Sequence, residues 1–133
     1  MYEVIGKKDP SYLLADPKGA EAFAIACEPG NGVVPRGTVM VRKAAGMWAP
    51  AGSADVAETN MLCVLDETVD TAKDAKIAQD GKAWRAARLI YGKVTLKDGG
   101  ALTAAHLVVL RKQGLVFDRM VGTEEVFDNE KKD

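Results

Sequence analysis

The side chains in this 133-residue sequence that could do chemistry are few and scattered. His106 is the only histidine, and Cys27 and Cys63 are the only cysteines. Zinc sites of the usual kinds draw several His and Cys ligands from close spacings, and this sequence has no such cluster. His106 with either thiol would make a nucleophile and its base. Nothing around these residues marks such a pair, so His106 reads as a polar residue in the first turn of a helix. Carboxylates gather at Asp66, Glu67 and Asp70. Calcium loops alternate carboxylates around a sharp glycine turn. That glycine is missing, so the cluster reads as the solvated exit of a strand. No Gly-x-Ser-x-Gly elbow occurs. No catalytic residue, metal or cofactor is expected.

The glycine-rich stretches fail as phosphate cradles. Gly30-Asn31-Gly32 runs into Val33-Val34-Pro35, so the third glycine of a dinucleotide fingerprint is absent. Gly32 to Thr38 has the outer spacing of a phosphate loop. Arg36-Gly37-Thr38 stands where Gly-Lys-Ser/Thr is required, and the phosphate-reaching lysine is gone. These glycines punctuate β patterns instead. Cys63 lies in an apolar run and reads as a buried free thiol, and no disulfide is expected. Met40, Met47, Trp48 and Met61 suit either core filling or a subunit contact, where Met and Trp are enriched. A hairpin tip carrying Met47-Trp48 beside Pro50 is the candidate contact.

The elements that must position these groups follow from the pattern. The length suits one domain, and 47% hydrophobic with 28% charged residues fits a folded globular chain. A net charge of -1 leaves no basic footprint for nucleic acid. No stretch approaches the roughly 18 apolar residues of a membrane helix. The N-terminus lacks a signal-peptide pattern, so a cytoplasmic site of synthesis is expected. Residues 1–22 read as an arm, with short apolar patches at Tyr2-Val4-Ile5 and Tyr12-Leu13-Leu14 broken by Pro and Gly. Strand patterns follow at 21–27, 38–42 and 61–65, the last buried on both faces. The Ala-rich span 71–81 suits one or two surface helical turns, and 85–96 a further strand. Thr103 is a good N-cap for a helix to Gln113, with Ala104, Leu107, Val108 and Arg111 on one stripe and Leu110 nearby. Gly114 suits the left-handed position after the last turn. Leu115-Val116-Phe117 closes the series, and 122–133 is a polar tail expected to be mobile. The expected domain runs over 23–121. Its fold class is α+β, mostly β: a small barrel-like domain with one short C-terminal helix.

Read in order, Gly37-Thr38-Val39-Met40, Asn60 to Asp70, Tyr91-Gly92-Lys93-Val94, Leu102 to Gln113 and Gly114-Leu115-Val116-Phe117 form a series. The series resembles the head decoration (capsid cement) proteins of tailed bacteriophages, the family of the lambda head decoration protein, from about Gly32 to Phe117. The resemblance implies a non-enzymatic homotrimer on the outer surface of the virion, made in the host cytoplasm. Its partner would be the major capsid protein, with neither nucleic acid nor membrane involved. The arm would bind the shell through Tyr2, Val4, Ile5, Tyr12, Leu13 and Leu14, and Met47, Trp48 and Pro50 would sit at the trimer interface. The rival readings are a β-rich binding module of a phage tail or virion surface, and a small enzyme using Asp66, Glu67 or His106. The low aromatic content, 6%, disfavours a saccharide-binding module.

Overall fold

Residues 13–118 are described by a computed structural model, and they form eight strands and one α-helix. The strands are β1 (Leu14–Cys27), β2 (Val33–Val34), β3 (Val39–Arg42), β4 (Trp48–Pro50), β5 (Leu62–Leu65), β6 (Val69–Asp70), β7 (Gln79–Ile90) and β8 (Leu115–Asp118). The helix α1 is Ala104–Lys112, and short 3-10 turns lie at Ser53–Asp55, Tyr91–Lys93 and Lys97–Gly99. The protein is therefore α+β and mostly β, as expected.

Five strands close a ring. β1 pairs with β4, β4 with β3, β3 with β5, β5 with β7, and β7 returns to β1. β2 and β6 make a separate two-stranded ribbon. One edge of β7 carries β1. The other carries β5 at Ala83 and Trp84, and then β8, in parallel, from Ala87 to Ile90. Alternation along the strands sends side chains to two cores. Met40, Cys63, Leu65 and Ala83 join Ile25, Cys27 and Trp48 on one face. Val39, Val41, Leu62 and Val64 join Leu89, Leu110 and Leu115 on the other. All four residues of β5 are buried, as its unbroken apolar run predicts. Met61, which the same run included, is 58% exposed.

A bulge in β7 reconciles its sequence with these cores. Glu21 pairs with Ala86 and Ala22 with Trp84, which leaves Arg85 without a partner on β1. One extra residue reverses the alternation. Trp84, Ala87 and Leu89 consequently pack on the same core, although strict period two would separate them.

Three expectations are corrected here. The expected arm extends through residue 22, yet β1 begins at Leu14, and Leu13 and Leu14 are 2% and 8% exposed. Gly19 (φ +78°) and the turn in which Lys18 N–H donates to Asp16 Oδ1 (2.9 Å) absorb the Pro-Gly break inside β1. The span 71–78 forms turns, not helix; Asp70 and Asp74 carboxylates cap the amides of Ala72 and Lys76 at 3.0 and 2.9 Å, which favours turns over a helix interior. The strand expected over 85–96 starts earlier and ends at Ile90. Residues 1–12 and 119–133, which include most of the expected arm and all of the polar tail, lie outside the described residues.

Candidate interaction surface

The residues expected at interfaces divide sharply. Tyr2, Val4, Ile5 and Tyr12 lie outside the described residues. Leu13 and Leu14 belong to the core that contains Val39, Leu89 and Leu115, so they are not available to a partner. Leu13 is also tied to the end of β7, because its carbonyl accepts from Ile90 N–H at 2.8 Å. The β3–β4 hairpin forms as expected, with Met40 opposite Pro50 and Arg42 opposite Trp48. Trp48, however, is 6% exposed and packs edge-to-face on Phe23, with ring centroids 5.7 Å apart. An indole committed to the interior in this way is a core residue, so Trp48 is withdrawn from the trimer contact. Met47 and Pro50 on either side of it are half-buried.

The groups weighed for chemistry are occupied by the fold. Asp66 accepts from Arg36 Nε at 3.1 Å and pairs with Arg36 Nη2 at 3.0 Å and Lys82 Nζ at 3.3 Å. Its side chain is 7% exposed, so the carboxylate serves as the buried counter-ion of two cations. Glu67 Oε2 accepts from Lys82 N–H at 2.7 Å. Asp70 caps Ala72. Among the described residues, no three His, Cys, Asp or Glu side chains come together in a way that could hold a metal ion.

His106 is the keystone of a helix cap. Thr103 N–H donates to Nδ1 at 3.0 Å, and Thr103 Oγ1 accepts from His106 N–H at 3.3 Å. This is a capping box with imidazole in the place usually held by Glu or Gln. Because Nδ1 accepts, the neutral ring carries its proton on Nε2, which therefore donates to Ser53 Oγ at 3.0 Å. In that tautomer Nε2 has no lone pair to take the serine proton, so the Ser53–His106 contact lacks the base of a nucleophilic pair. It ties the Ser53–Asp55 turn to α1 instead. His106 as a whole is 7% exposed.

That cap also sets which side of α1 is buried. His106 and Leu110 face the core, Leu107 and Val109 are half-buried, and Ala104, Val108 and Arg111 are exposed. The expected stripe of Ala104, Leu107, Val108 and Arg111 is thus rotated, because the inward imidazole selects the 106/110 ridge. At the other end Gln113 ties the helix to β5: Oε1 accepts from Leu62 N–H at 3.0 Å and Nε2 donates to Asn60 O at 2.7 Å.

The glycine turn at 28–32 is similarly filled. Thr71, fully buried, accepts from Asn31 N–H on Oγ1 at 2.9 Å, and its carbonyl accepts from Gly30 N–H at 3.2 Å. Its own hydroxyl and amide both donate to Gly32 O, at 2.7 and 2.9 Å. The amides of Gly30 and Asn31, which a dinucleotide loop would aim at a ligand, are spent on Thr71. Cys27 and Cys63 are free and buried. Burial, and then the nearby charges of Glu67 and Asp80, push the Cys27 thiol up to about 11. Burial, and then Cys27, raises Cys63 further. Neither thiol is an activated nucleophile.

Sequence reasoning missed Ser53, Thr71 and Gln113, whose roles are long-range hydrogen bonds that leave no local pattern. His106 three residues after Thr103 did carry a signal, the spacing of a capping box.

No protein-family model and no curated protein sequence matches this chain.

Proposed function

We propose that this protein is a structural cement of tailed-phage heads. In this reading it acts as a homotrimer on the outer surface of the expanded shell and links neighbouring major capsid protein subunits. The observation that carries the reading is the element order from Gly32 to Phe117, which resembles the head decoration family. Support comes from the use made of the polar groups. Asp66, Glu67, His106 and Thr71 are committed to hydrogen bonds and ion pairs that hold the fold, an economy suited to a protein whose task is mechanical.

The corrected boundary sharpens the mechanism. With Leu13 and Leu14 in the core, the capsid-binding arm is residues 1–12, which leave from a fixed point beside Ile90. Tyr2, Val4, Ile5 and Tyr12 are its apolar contacts. Added to the shell as an extended strand, the arm gains backbone hydrogen bonds and fills pockets with alternate side chains. Ordering about twelve residues costs backbone entropy of about 1–2 kcal/mol each, so one arm binds weakly. Three arms on a trimer gain through effective concentration. Binding the expanded shell and not its separated subunits stabilises the shell by mass action. Met47 and Pro50 remain for the trimer contact.

The test is deletion of residues 2–12, assayed by co-sedimentation with expanded heads of the cognate phage. The shortened protein should keep its melting curve and lose sedimentation with heads. Undiminished binding would remove the arm from the mechanism and place the contact on the folded domain.

A further inference from the structure

Beside β8 lies an open groove of about 410 Å³, and nothing in the capsid reading uses it. Its floor and walls include Leu107 and Val108 of α1 and Val116 and Phe117 of β8, and Arg88 and Arg111 stand at its rim. Val108 is 54% exposed, and Val116 and Phe117 are only half-buried. β8 is also an edge. It pairs with β7 on one side, and no strand among the described residues pairs with the other. A parallel ladder uses alternate residues of β8, so half of its main-chain groups face outward with no ladder partner among the described residues. Exposed edges of this kind are normally paired, covered or charged. Arg88 has an ion-pair partner in Asp118, at 3.1 Å. The Arg111 guanidinium has none among the described residues.

We infer that this groove is the docking site of the chain's own C-terminal segment, with Glu124 to Asp128 laid along the free edge of β8. Three observations select this occupant. Asp118, the last described residue of β8, lines the groove, so the rest of the chain is tethered there. The stretch Met120-Val121-Gly122-Thr123 has the length and the glycine of a four-residue hairpin loop, which would return the chain antiparallel to β8. The returning sequence, Glu124-Glu125-Val126-Phe127-Asp128, matches the groove in kind: strand alternation turns Phe127 to the apolar floor and Val126 to the opposite face, and the flanking carboxylates suit Arg111 and Arg88. Tethering supplies the high effective concentration that such a short segment requires.

The inference is independent of the capsid reading, and its test uses the full chain without heads. Amide hydrogen exchange of β8 and α1 is measured by NMR in the wild type, in Phe127→Ser, in Glu124→Lys/Glu125→Lys, in Arg111→Glu, and in the combination of the last two. None of these changes touches a buried described residue, and denaturant melts verify the fold. The outward amides of β8 should exchange at least about tenfold faster in Phe127→Ser than in the wild type, as expected for loss of a local protecting element. Each charge reversal should also speed exchange, and combining the reversals should restore protection. Equal exchange in the wild type and Phe127→Ser would overturn the inference. So would protection that grows with protein concentration, which would assign the groove to a second copy.

Discussion

Gly37 offers the sharpest test of how the ring and its covering loop fit together. Its φ is +93°, and a Cβ built there would lie 2.4 Å from the main-chain oxygen of Lys93. The residue is held on both sides, since Gly37 N–H donates to Leu65 O at 2.7 Å and Gly37 O accepts from Thr95 N–H at 2.9 Å. Alanine here would pay about 1–2 kcal/mol for the left-handed conformation. Relieving the overlap moves backbone against backbone and weakens two hydrogen bonds, each worth about 0.5–1.5 kcal/mol. Restricting the unfolded chain returns about 0.4–1 kcal/mol. The expected net loss for Gly37→Ala is about 2–4 kcal/mol. Gly32 is the control: its φ is +67°, but nothing lies within 4 Å of the same ideal Cβ. Gly32→Ala should therefore lose only about 0.5–1 kcal/mol, the conformational cost less the unfolded-state gain. Urea melts of both variants, with m-values compared to verify two-state behaviour, measure the difference. Equal losses at the two positions would refute the close approach of β3's entry to the Lys93–Thr95 segment.

Other substitutions probe the helix and the thiols. Leu110 is fully buried and Leu107 only partly, so Leu110→Ala should cost about 2–5 kcal/mol and Leu107→Ala about 1–2 kcal/mol; the reverse order in denaturant melts would mean that α1 is turned the other way. His106→Ala strands Thr103 N–H and Ser53 Oγ together and should cost about 2–3 kcal/mol, against about 1 kcal/mol for Ser53→Ala. Thermal melts that rank Ser53→Ala as the more damaging would contradict the cap. For Cys27, burial pushes the folded thiol from its ordinary 9.0 up to about 11, so its stabilising effect is complete below about pH 9 and is lost as pH rises toward 11, by about 1.4 kcal/mol per unit. A disulfide reagent at pH 8 should leave both native thiols unmodified and titrate both after unfolding; native reactivity as fast as in the unfolded chain would refute their burial.

The strands that ring the core were legible because their local signals were strong. The apolar run at 61–65, the Gly-bounded hairpin after Arg42 and the capped helix at Thr103 each carry their own pattern, and all three elements form, the first from Leu62 with Met61 left exposed. What the sequence concealed depends on contacts between distant residues. The alternation in β7 reverses at Arg85 because β1 offers one residue where β7 has two, and no local pattern announces a bulge. Asp16-Pro17-Lys18-Gly19 reads as a break, yet β7 supplies enough pairing on both sides to carry β1 through it. Trp48 suits a subunit contact by its pattern, and its burial leaves no local signal because its partner, Phe23, lies 25 positions away. The helix stripe was misplaced because Leu107, Val108, Val109 and Leu110 are all apolar, so periodicity could not choose a face. His106 chose it, through hydrogen bonds to Thr103 and Ser53.

The central claim, a trimeric cement on an expanded shell, is tested most directly by imaging heads of the cognate phage before and after expansion in the presence of the purified protein. The account predicts density in groups of three copies at three-fold and local three-fold positions of expanded heads, bridging neighbouring capsid subunits, and bare unexpanded heads. Isolated single copies on the shell, or expanded heads left bare at saturating protein, would contradict it.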